Sequence, residues 1–522
     1  MPDLRLLQMR LDGLAQTMQD RIFRTAVSPV VREGADSSCG LFTPEGEVIA
    51  LSEAIPLLLG ALPGVVRAIL GAYPVDTMGE GDLFLCNDPF SGGTHLPDIA
   101  IVQPILADGK VVALSASLLH HQDVGGTRPG SVPPDATEIH HEGLRLPPMR
   151  AGREGRLLPE IARLIRCASR TPDIVLGDLA AQIAAGQPAA AGVQAICGEL
   201  GQAGFSAAVA ACLDRTEADI DARLRALPPG PFTGADALDP VPGLGACEVR
   251  VQIRLTAGRL DADFTGSSPQ VAAPVNCVRS GPLSAVFYAL VALAGPGILR
   301  NGGLLRRIRL TLPEASIVNA APPAAVNART NMVRCITSAV LQAVGQADPD
   351  RMPAPNSGMS YVIAFSGRHA DGSPFLSTEI VAGGAGGGPD ADGAAAISTD
   401  VGNAMNMPAE ALEAVAPIRL LAAHRRAGSG GDGRYRGGDG VTRLYEALAD
   451  GIAVSIRGER FQLVPQGLHG GGAPQPAAAM VQRADGRLER LGARSAVTLN
   501  AGDRLVIESC GGAGYGLSQG AE

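Results

Sequence analysis

The sequence predicts an α+β protein with several layers, in which mixed sheets accompany a helical middle segment and the C-terminal third is rich in strands and glycine. Apolar residues step by three or four through residues 3–24 and again between 159 and 227, which is the spacing of amphipathic helices. Apolar residues alternate with a period of two over 246–264, which is typical of strands. The 67 glycines and 39 prolines cluster in short motifs between apolar runs, so they indicate loops on a folded scaffold.

The first 155 residues are predicted to form an N-terminal α/β region. The helix at 3–24 is followed by a hairpin at 41–50, where apolar residues flank the turn sequence Pro-Glu-Gly, and by a helix near 62–72. Three strand-like runs come next, with a tight Asp108-Gly109 turn between the second and the third. These runs are Leu83–Cys86, Ile99–Leu106 and Val111–Leu119.

Residues 156–230 are predicted to be a helical, Ala-rich segment. One helix starts with Ile161, a second covers 183–200 and a third covers 207–224. Residues 231–522 then form a β-rich region that completes the catalytic body. It also contains buried helices at 282–294 and 330–344, and glycine clusters at 383–388, 428–440, 467–472 and 511–516.

Composition excludes several classes of function. The 522 residues carry 43 Lys+Arg against 52 Asp+Glu, a net charge of −9, with no basic run, so neither nucleic acid nor an anionic membrane is an expected partner. No apolar stretch reaches the ~18 residues of a transmembrane helix, and the charged N-terminus is unlike a signal peptide. The 9 cysteines form no C-x-x-C pair, which favours a reducing compartment, and we expect a cytoplasmic protein.

Two common catalytic motifs are missing from the sequence. Lys110 is the only lysine and lies in a turn before a strand, so the chain has no G-x-x-x-x-G-K-[ST] loop for ATP phosphates. No G-x-S-x-G nucleophile elbow occurs either.

The densest polar constellation lies between residues 88 and 142, which hold five of the 8 histidines. His95 and Asp98 form an H-x-x-D step that enters one strand, and His120 ends the strand joined to it by a tight turn. Because antiparallel neighbours bring their outer ends together, Asp98 and His120 can approach each other. Imidazole and carboxylate groups with room for water are the ligands of a catalytic divalent metal such as zinc or manganese. The alternative is that these side chains cap turns, and the spacing leaves both readings open.

Five segments in order resemble the hydantoinase B/5-oxoprolinase family, over about residues 10–516. They are GDLFLCNDPFSGGTHLPDIAIVQPI, HHQDVGGTRPGS, ATEIHHEGLRLPP, GSGGDGRYRGGDGV and CGGAGYG. The family includes β subunits of ATP-dependent hydantoinases, N-methylhydantoinases and lactamases, and subunits of acetone and acetophenone carboxylases. The resemblance implies a hetero-oligomer with a hydantoinase A-type ATPase subunit that binds ATP-Mg and phosphorylates the substrate, while this chain carries the metal.

The resemblance also implies roles for particular residues. The family's metal-binding pattern falls on His95, Asp98 and His120, and the aspartate of its E-x-x-D-x-S-C segment falls on Asp36 as a fourth ligand. His121 is the less favoured histidine of its pair.

Three further carboxylates are candidates for ligand orientation or proton transfer, namely Asp123, Glu138 and Glu142. The sequence departs from the family's P-x-H-L-G, because Leu58 stands where a histidine is frequent.

Three hypotheses follow. The first is a metal-bearing subunit of an ATP-dependent amidohydrolase that opens a cyclic amide, such as a hydantoin, an N-methylhydantoin, 5-oxoproline or another lactam. The second is a subunit of an ATP-dependent ketone carboxylase that uses bicarbonate. The third is a non-catalytic scaffold, which the missing polar group at Leu58 motivates.

Overall fold

The fold is given by a computed structural model, which describes residues 3–398 and 400–518. The helices are α1 (Leu4–Thr25), α2 (Pro29–Arg32), α3 (Pro56–Leu59), α4 (Leu62–Ala72), α5 (Pro159–Ala168), α6 (Pro172–Leu200), α7 (Gln202–Arg225), α8 (Ser280–Ala294), α9 (Gly302–Leu305), α10 (Arg329–Ala347) and α11 (Ala409–Val415).

The strands of the first half are β1 (Ser37–Phe42), β2 (Val48–Leu51), β3 (Leu83–Cys86), β4 (Asp98–Ala107), β5 (Lys110–His120), β6 (Met149–Arg153), β7 (Arg156–Leu157), β8 (Phe232–Val241), β9 (Gly245–Thr256) and β10 (Arg259–Asp263). Those of the second half are β11 (Ile308–Thr311), β12 (Tyr361–Arg368), β13 (Pro374–Val381), β14 (Ile418–Arg426), β15 (Gly440–Ala447), β16 (Ile452–Arg457), β17 (Ala478–Gln482), β18 (Leu488–Leu491), β19 (Arg494–Leu499) and β20 (Arg504–Glu508).

The strands form four sheets. The largest has seven antiparallel strands in the order β2-β1-β5-β4-β3-β6-β7, and a four-stranded sheet runs β11-β10-β9-β8, with β10 and β11 parallel. The C-terminal part adds the sheets β13-β12-β16-β19 and β14-β15-β20-β17-β18. The predicted α+β class with several mixed sheets is therefore confirmed.

Apolar side chains on the two faces of the seven-stranded sheet enter different cores. In β5, Leu114, Ala116 and Leu118 face the core that includes α4, α8 and α10, whereas Ala113 and Leu119 face α1, α6 and α7. Successive side chains of a strand point to opposite faces, so this alternation buries both sides of the sheet. From Leu114 onward, a polar residue at an even position of β5 therefore faces the core that includes α10.

Two helices of the middle segment begin earlier than predicted, and α7 does so at Gln202, five residues before the predicted start at 207. Helix α6 begins at Pro172, eleven residues before the predicted start of the second helix. Gly177 and Asp178 interrupt the apolar pattern there, but Asp178 is buried and its carboxylate accepts hydrogen bonds from the amides of Val27 and Ser28. Tertiary hydrogen bonds thus engage a buried polar residue that lies before the predicted start of the helix.

The late glycines pack backbone against backbone in what we term the glycine bundle, made of residues 383–388, 393–394, 428–438, 467–472 and 510–516. The amide of Gly438 donates to Ala385 O at 2.8 Å, and the amide of Gly512 donates to Gly438 O at 2.9 Å. A Cβ atom at Gly512 would lie 1.8 Å from Ala385 O, and one at Gly437 would lie 1.9 Å from Gly512 O. The absence of side chains therefore lets these segments approach one another.

One apolar core includes residues from Phe42 to Val401, and so draws on both the first and the third predicted region. The division into 1–155, 156–230 and 231–522 stays a prediction; its outermost residues lie outside the described range. Within the described residues, no single helix is long and apolar enough to cross a membrane. Only α6 and α7 taken together, across a bend of 105°, have that length and composition.

Gly512→Ala should destabilise the protein by more than about 3 kcal/mol, because its methyl group would overlap a backbone oxygen of another segment. Gly13→Ala is the matched control, since an exposed position inside α1 with no atom within 4 Å of the added Cβ should gain about 0.5–1 kcal/mol. Urea unfolding of the two variants measures both values. Equal midpoints would show that close backbone packing in the glycine bundle is not needed.

Candidate metal centre

The predicted metal ligands lie where neighbouring strands of the seven-stranded sheet end. Asp98 opens β4 and pairs with His120, the last residue of β5. Asp36 precedes β1, and its carbonyl oxygen accepts a hydrogen bond from the His120 amide at 3.1 Å. Because side chains alternate along a strand, this register places all three on the sheet face that packs against α10.

The side chains of His95, Asp98 and His120 meet at one point. His95 Nε2 lies 3.0 Å from Asp98 Oδ1 and 3.1 Å from His120 Nδ1, and His120 Nδ1 lies 3.0 Å from the same Asp98 oxygen. Asp36 Oδ2 lies 3.9 Å from His120 Nδ1. The structure thus brings the four predicted ligands together, with three of them in mutual contact.

The orientation of His95 is fixed from outside the cluster. Its Nδ1 donates a hydrogen bond to Asn327 O at 3.1 Å, and since a carbonyl oxygen only accepts, Nδ1 carries the hydrogen. Burial, and then the charge of Arg329, lower the pKa of His95 to about 3, so the ring is neutral at pH 7. The bare lone pair on Nε2 therefore faces a carboxylate oxygen of Asp98, an arrangement that is favourable when a cation lies between them.

Asp98 is a buried anion with both oxygens engaged. Its Oδ2 accepts hydrogen bonds from Thr94 Oγ1 and from Arg329 Nη2, which leaves Oδ1 directed at the two imidazoles. Burial alone would raise the pKa of Asp98, but His95 and Arg329 beside it hold that pKa well below its usual range. Burial raises the pKa of Asp36, which has the charge of Asp98 close by.

These residues fit a divalent metal ion. Zinc bonds of ~2.0–2.2 Å to nitrogen and oxygen place neighbouring ligand atoms roughly 3.0–3.5 Å apart. The separations of 3.0–3.1 Å among His95, Asp98 and His120 fall in this range. The hydrogen bond from His95 Nδ1 to a backbone carbonyl is also the arrangement that orients metal-binding histidines.

A cavity of about 60 Å³ lies against the cluster. Asp36, His95 and His120 line it together with Arg329 and Arg457, and the remaining lining residues include a third arginine and several small or apolar residues. This volume exceeds what one water molecule requires. The cavity therefore has room for water or for part of a small ligand beside the predicted metal ligands.

Two other residues after β5 point away from the cluster. His121 is buried, and its Nε2 pairs with Gln182 Oε1 on α6 at 3.1 Å. The Asp123 carboxylate accepts hydrogen bonds from the amides of Gly125 and Gly130 and from both the amide and the guanidinium of Arg170. Asp123 thus organises the loop after β5, and its predicted role in orientation or proton transfer stays a prediction.

Glu138 and Glu142 lie outside the described residues that line the cavity. Glu142 is buried, and its Oε1 accepts hydrogen bonds from the amides of Val326 and Asn327 at 2.9 and 2.8 Å. Burial raises the pKa of Glu142 to about 8. Glu142 therefore holds the backbone that orients His95. Glu138 is half-exposed, and its Oε1 lies 3.7 Å from His141 Nε2. The roles predicted for both carboxylates stay predictions.

The structure adds residues to the site that the sequence did not single out. Asn327 lies just before α10 and Arg329 begins that helix. Arg457 ends β16, 337 residues after His120. The segment at 330–344 was predicted only as a buried apolar helix. The polar residues at the start of that helix are the sequence feature that marks this end as part of a site, since Asn331 and Arg334 are also buried.

Leu58, which stands where the family frequently has histidine, is buried in the core shared with α4, α8 and α10. Its neighbour Leu57 lines the cavity, and Leu58 is not among the described lining residues. The position at which the family frequently has histidine therefore lies beside the cavity and outside its described wall.

The family model for hydantoinase B/oxoprolinase matches residues 3–518. A 5-oxoprolinase of Dictyostelium discoideum is 30% identical over 98% of this chain, which spans only 40% of that protein. A Pseudomonas sp. protein, provisionally named as the B-type component of a D-/L-hydantoinase, is 28% identical over 88% of this chain and 80% of its own length.

Two solved structures share the fold. The ATP-dependent caprolactamase of Pseudomonas jessenii superposes with a TM-score of 0.91 at 27% identity, over 98% of this chain and 90% of that one. Nucleotide-free acetone carboxylase superposes with a TM-score of 0.90 at 18% identity, over 98% and 75%, and shows likeness of fold alone. With a family match that covers nearly the whole chain, this protein belongs to the hydantoinase B/oxoprolinase family.

Proposed function

We propose that this chain is the metal-bearing subunit of an ATP-dependent amidohydrolase that opens a cyclic amide. The substrate class comprises hydantoins, N-methylhydantoins, 5-oxoproline and other lactams. The observation that carries the proposal is the meeting of His95 Nε2, Asp98 Oδ1 and His120 Nδ1 within 3.1 Å of one another beside a cavity. Asp36 is the fourth proposed ligand, and zinc and manganese both suit this set of ligands.

The chemistry of the substrate class fits such a site. An unstrained cyclic amide is stabilised by resonance and resists attack by water. A bound divalent ion supplies Lewis acidity toward a carbonyl oxygen and lowers the pKa of water. The chain's own residues fix the geometry, because Arg329 and Thr94 hold Asp98 while the Asn327 carbonyl holds His95. A rigid set of ligands avoids the cost of reorganisation during the reaction.

The proposal places ATP-Mg on a hydantoinase A-type ATPase partner, in a hetero-oligomer. The sequence has no G-x-x-x-x-G-K-[ST] loop, and the Pseudomonas sp. relative is itself named as one subunit of a hydantoinase. This chain also spans about two fifths of the 5-oxoprolinases it matches, so those single chains have room for a further catalytic part. Phosphorylation by the partner would turn the amide oxygen into a leaving group.

The carboxylase hypothesis remains the second candidate. Acetone carboxylase shares the fold, but the caprolactamase is more similar in sequence, at 27% against 18% identity, which favours the amidohydrolase. Carboxylation would leave label from bicarbonate in a stable product, whereas amide hydrolysis would not.

His120→Ala should abolish stoichiometric metal binding, because it removes one of three ligand atoms that meet at a single point. We expect the affinity for zinc or manganese to fall at least about 100-fold. Elemental analysis and metal titration measure the change. His424→Ala is the matched control, since His424 is exposed on β14 and bonds only the neighbouring carbonyl of Arg425 among the described residues. Undiminished metal binding by His120→Ala would refute the site.

A divalent metal should also stabilise the native protein, because it binds the folded state. At a free concentration 100 times its Kd, the gain is about 2.7 kcal/mol. Thermal unfolding with zinc or manganese, and after chelation, should therefore show a shift in wild type and in His424→Ala but none in His120→Ala. A shift of the same size in His120→Ala would place the stabilising ion elsewhere.

The purified chain alone should not hydrolyse ATP, and the complex with its A-type partner should do so when the correct cyclic amide is present. The measurement is phosphate release over a panel of hydantoins, 5-oxoproline and lactams, with labelled bicarbonate in a parallel set. Label in a stable carboxylate would favour the carboxylase instead. ATP hydrolysis by this chain alone would contradict the proposed division between subunits.

A further inference from the structure

Three buried arginines share the cavity with the predicted metal ligands. Arg329, Arg334 and Arg457 all line it, and each is no more than 6% exposed. A guanidinium removed from water is costly unless a negative charge compensates for it. Two buried arginines elsewhere follow that rule, since Arg443 pairs with Glu379 and Arg460 pairs with Asp236.

Arg457 does not follow that rule. Its Nη1 donates to the carbonyl oxygen of Asn327 at 2.8 Å and to the side-chain oxygen of the same residue, and both acceptors are neutral. Among the residues that the structure describes, no carboxylate lies within 4.0 Å of its nitrogens, and its Nε has no hydrogen-bond partner. Glu142 and Asp98 attract Arg457 from beyond that distance. The cavity wall therefore carries a buried positive charge without a contacting anion.

Groups close to Arg457 add further positive charge to the cavity wall. Among the residues with described side chains, Arg329 contacts one carboxylate, Asp98, which a metal ion would share. Arg329 and Thr330 also form the first turn of α10, a helix of 19 residues whose N-terminal end lies at the cavity wall. The helix dipole favours an anion at that end.

Arg457 also lies close to the proposed metal position. The Asn327 carbonyl oxygen accepts from His95 Nδ1 at 3.1 Å and from Arg457 Nη1 at 2.8 Å. One oxygen atom thus orients both a metal ligand and the unpaired guanidinium. A small ligand in the cavity can reach both.

We propose that Arg457 and Arg329 form an oxyanion subsite, which receives a carboxylate or phosphate group of the same ligand whose amide faces the metal ligands. This inference deepens the proposed function and rests on it. A carboxylate would belong to the substrate, as in 5-oxoproline, and a phosphate would be acquired through ATP. Both present negatively charged oxygens that a guanidinium recognises with paired hydrogen bonds.

Calorimetric titration of the full chain, both metal-free and metal-loaded, shows whether the subsite receives a substrate carboxylate or a phosphate. The probes are inorganic phosphate, 5-oxoproline and 2-pyrrolidinone, which has the same ring without the carboxylate. We expect at least one anion to bind wild type, and Arg457→Gln to weaken that binding at least 10-fold. Binding of phosphate alone indicates the phosphate source. Binding of 5-oxoproline at least 10-fold tighter than 2-pyrrolidinone indicates the carboxylate source.

Arg419→Gln is the control, since it removes one exposed positive charge from β14 and should leave anion binding unchanged. Arg457→Lys retains the charge and should recover part of the affinity, and circular dichroism establishes that each variant is folded. If Arg457→Gln does not fold, mutual exclusion of phosphate and 5-oxoproline in wild type provides the test. Failure of both anions to bind wild type, or equal binding by folded Arg457→Gln, overturns the subsite.

The metal-free titration keeps the two proposals distinguishable. Binding of an anion that depends on Arg457, in a chain that takes up no metal, would support the subsite and refute the metal centre. If metal binding is normal and Arg457→Gln binds anions as tightly as wild type, the subsite alone is refuted.

Discussion

The ionised carboxylate of Asp98, fully removed from solvent, is the constraint on which the site depends. A buried carboxylate costs several kcal/mol unless partners compensate for it, and Thr94 and Arg329 do so here. Thr94 and Arg329 bond one oxygen, and His95 and His120 contact the other. Because Arg329 begins α10 whereas His120 ends β5, this single carboxylate ties the seven-stranded sheet to a helix from the second half of the chain.

The orientation of the His95 ring also depends on contacts between distant parts of the chain. All four predicted ligands lie within the first 155 residues, yet the hydrogen bond that sets the His95 ring comes from Asn327. Glu142 holds the amide of Asn327, and Arg457 bonds its carbonyl. The His95 ring therefore acquires its orientation only when the segment before α10 has packed against the sheet.

Short-range features of the site were predictable from the sequence, and long-range ones were not. The approach of Asp98 and His120 followed from a tight turn, because such a turn sets the register of the two strands. Asp36 lies beside His120 through the pairing of β1 with β5, about 80 residues apart, and spacing alone gave no indication of it. Arg329 and Arg457 are separated from the predicted ligands by still more residues. A single polar residue in an apolar element carries no information about which distant residue it contacts. The N-terminal helix and the hairpin at 41–50 were predictable because their patterns are local.

The scaffold hypothesis has lost the observation that motivated it. Leu58 packs in the core, and its neighbour Leu57 supplies the cavity wall, so the missing histidine removes no group from the described lining of the site. A scaffold would also gain nothing from this cluster. Replacing buried ionic groups with apolar residues of similar volume is often neutral or stabilising by about 1–4 kcal/mol, so stability alone does not account for Asp98 and its partners. The lone pair of His95 Nε2 faces the Asp98 carboxylate, an arrangement that a cation between them would stabilise, and Arg457 is buried with no contacting carboxylate among the described residues. A divalent metal ion and an anionic ligand, bound as we propose, would compensate for both, which a docking surface would not require.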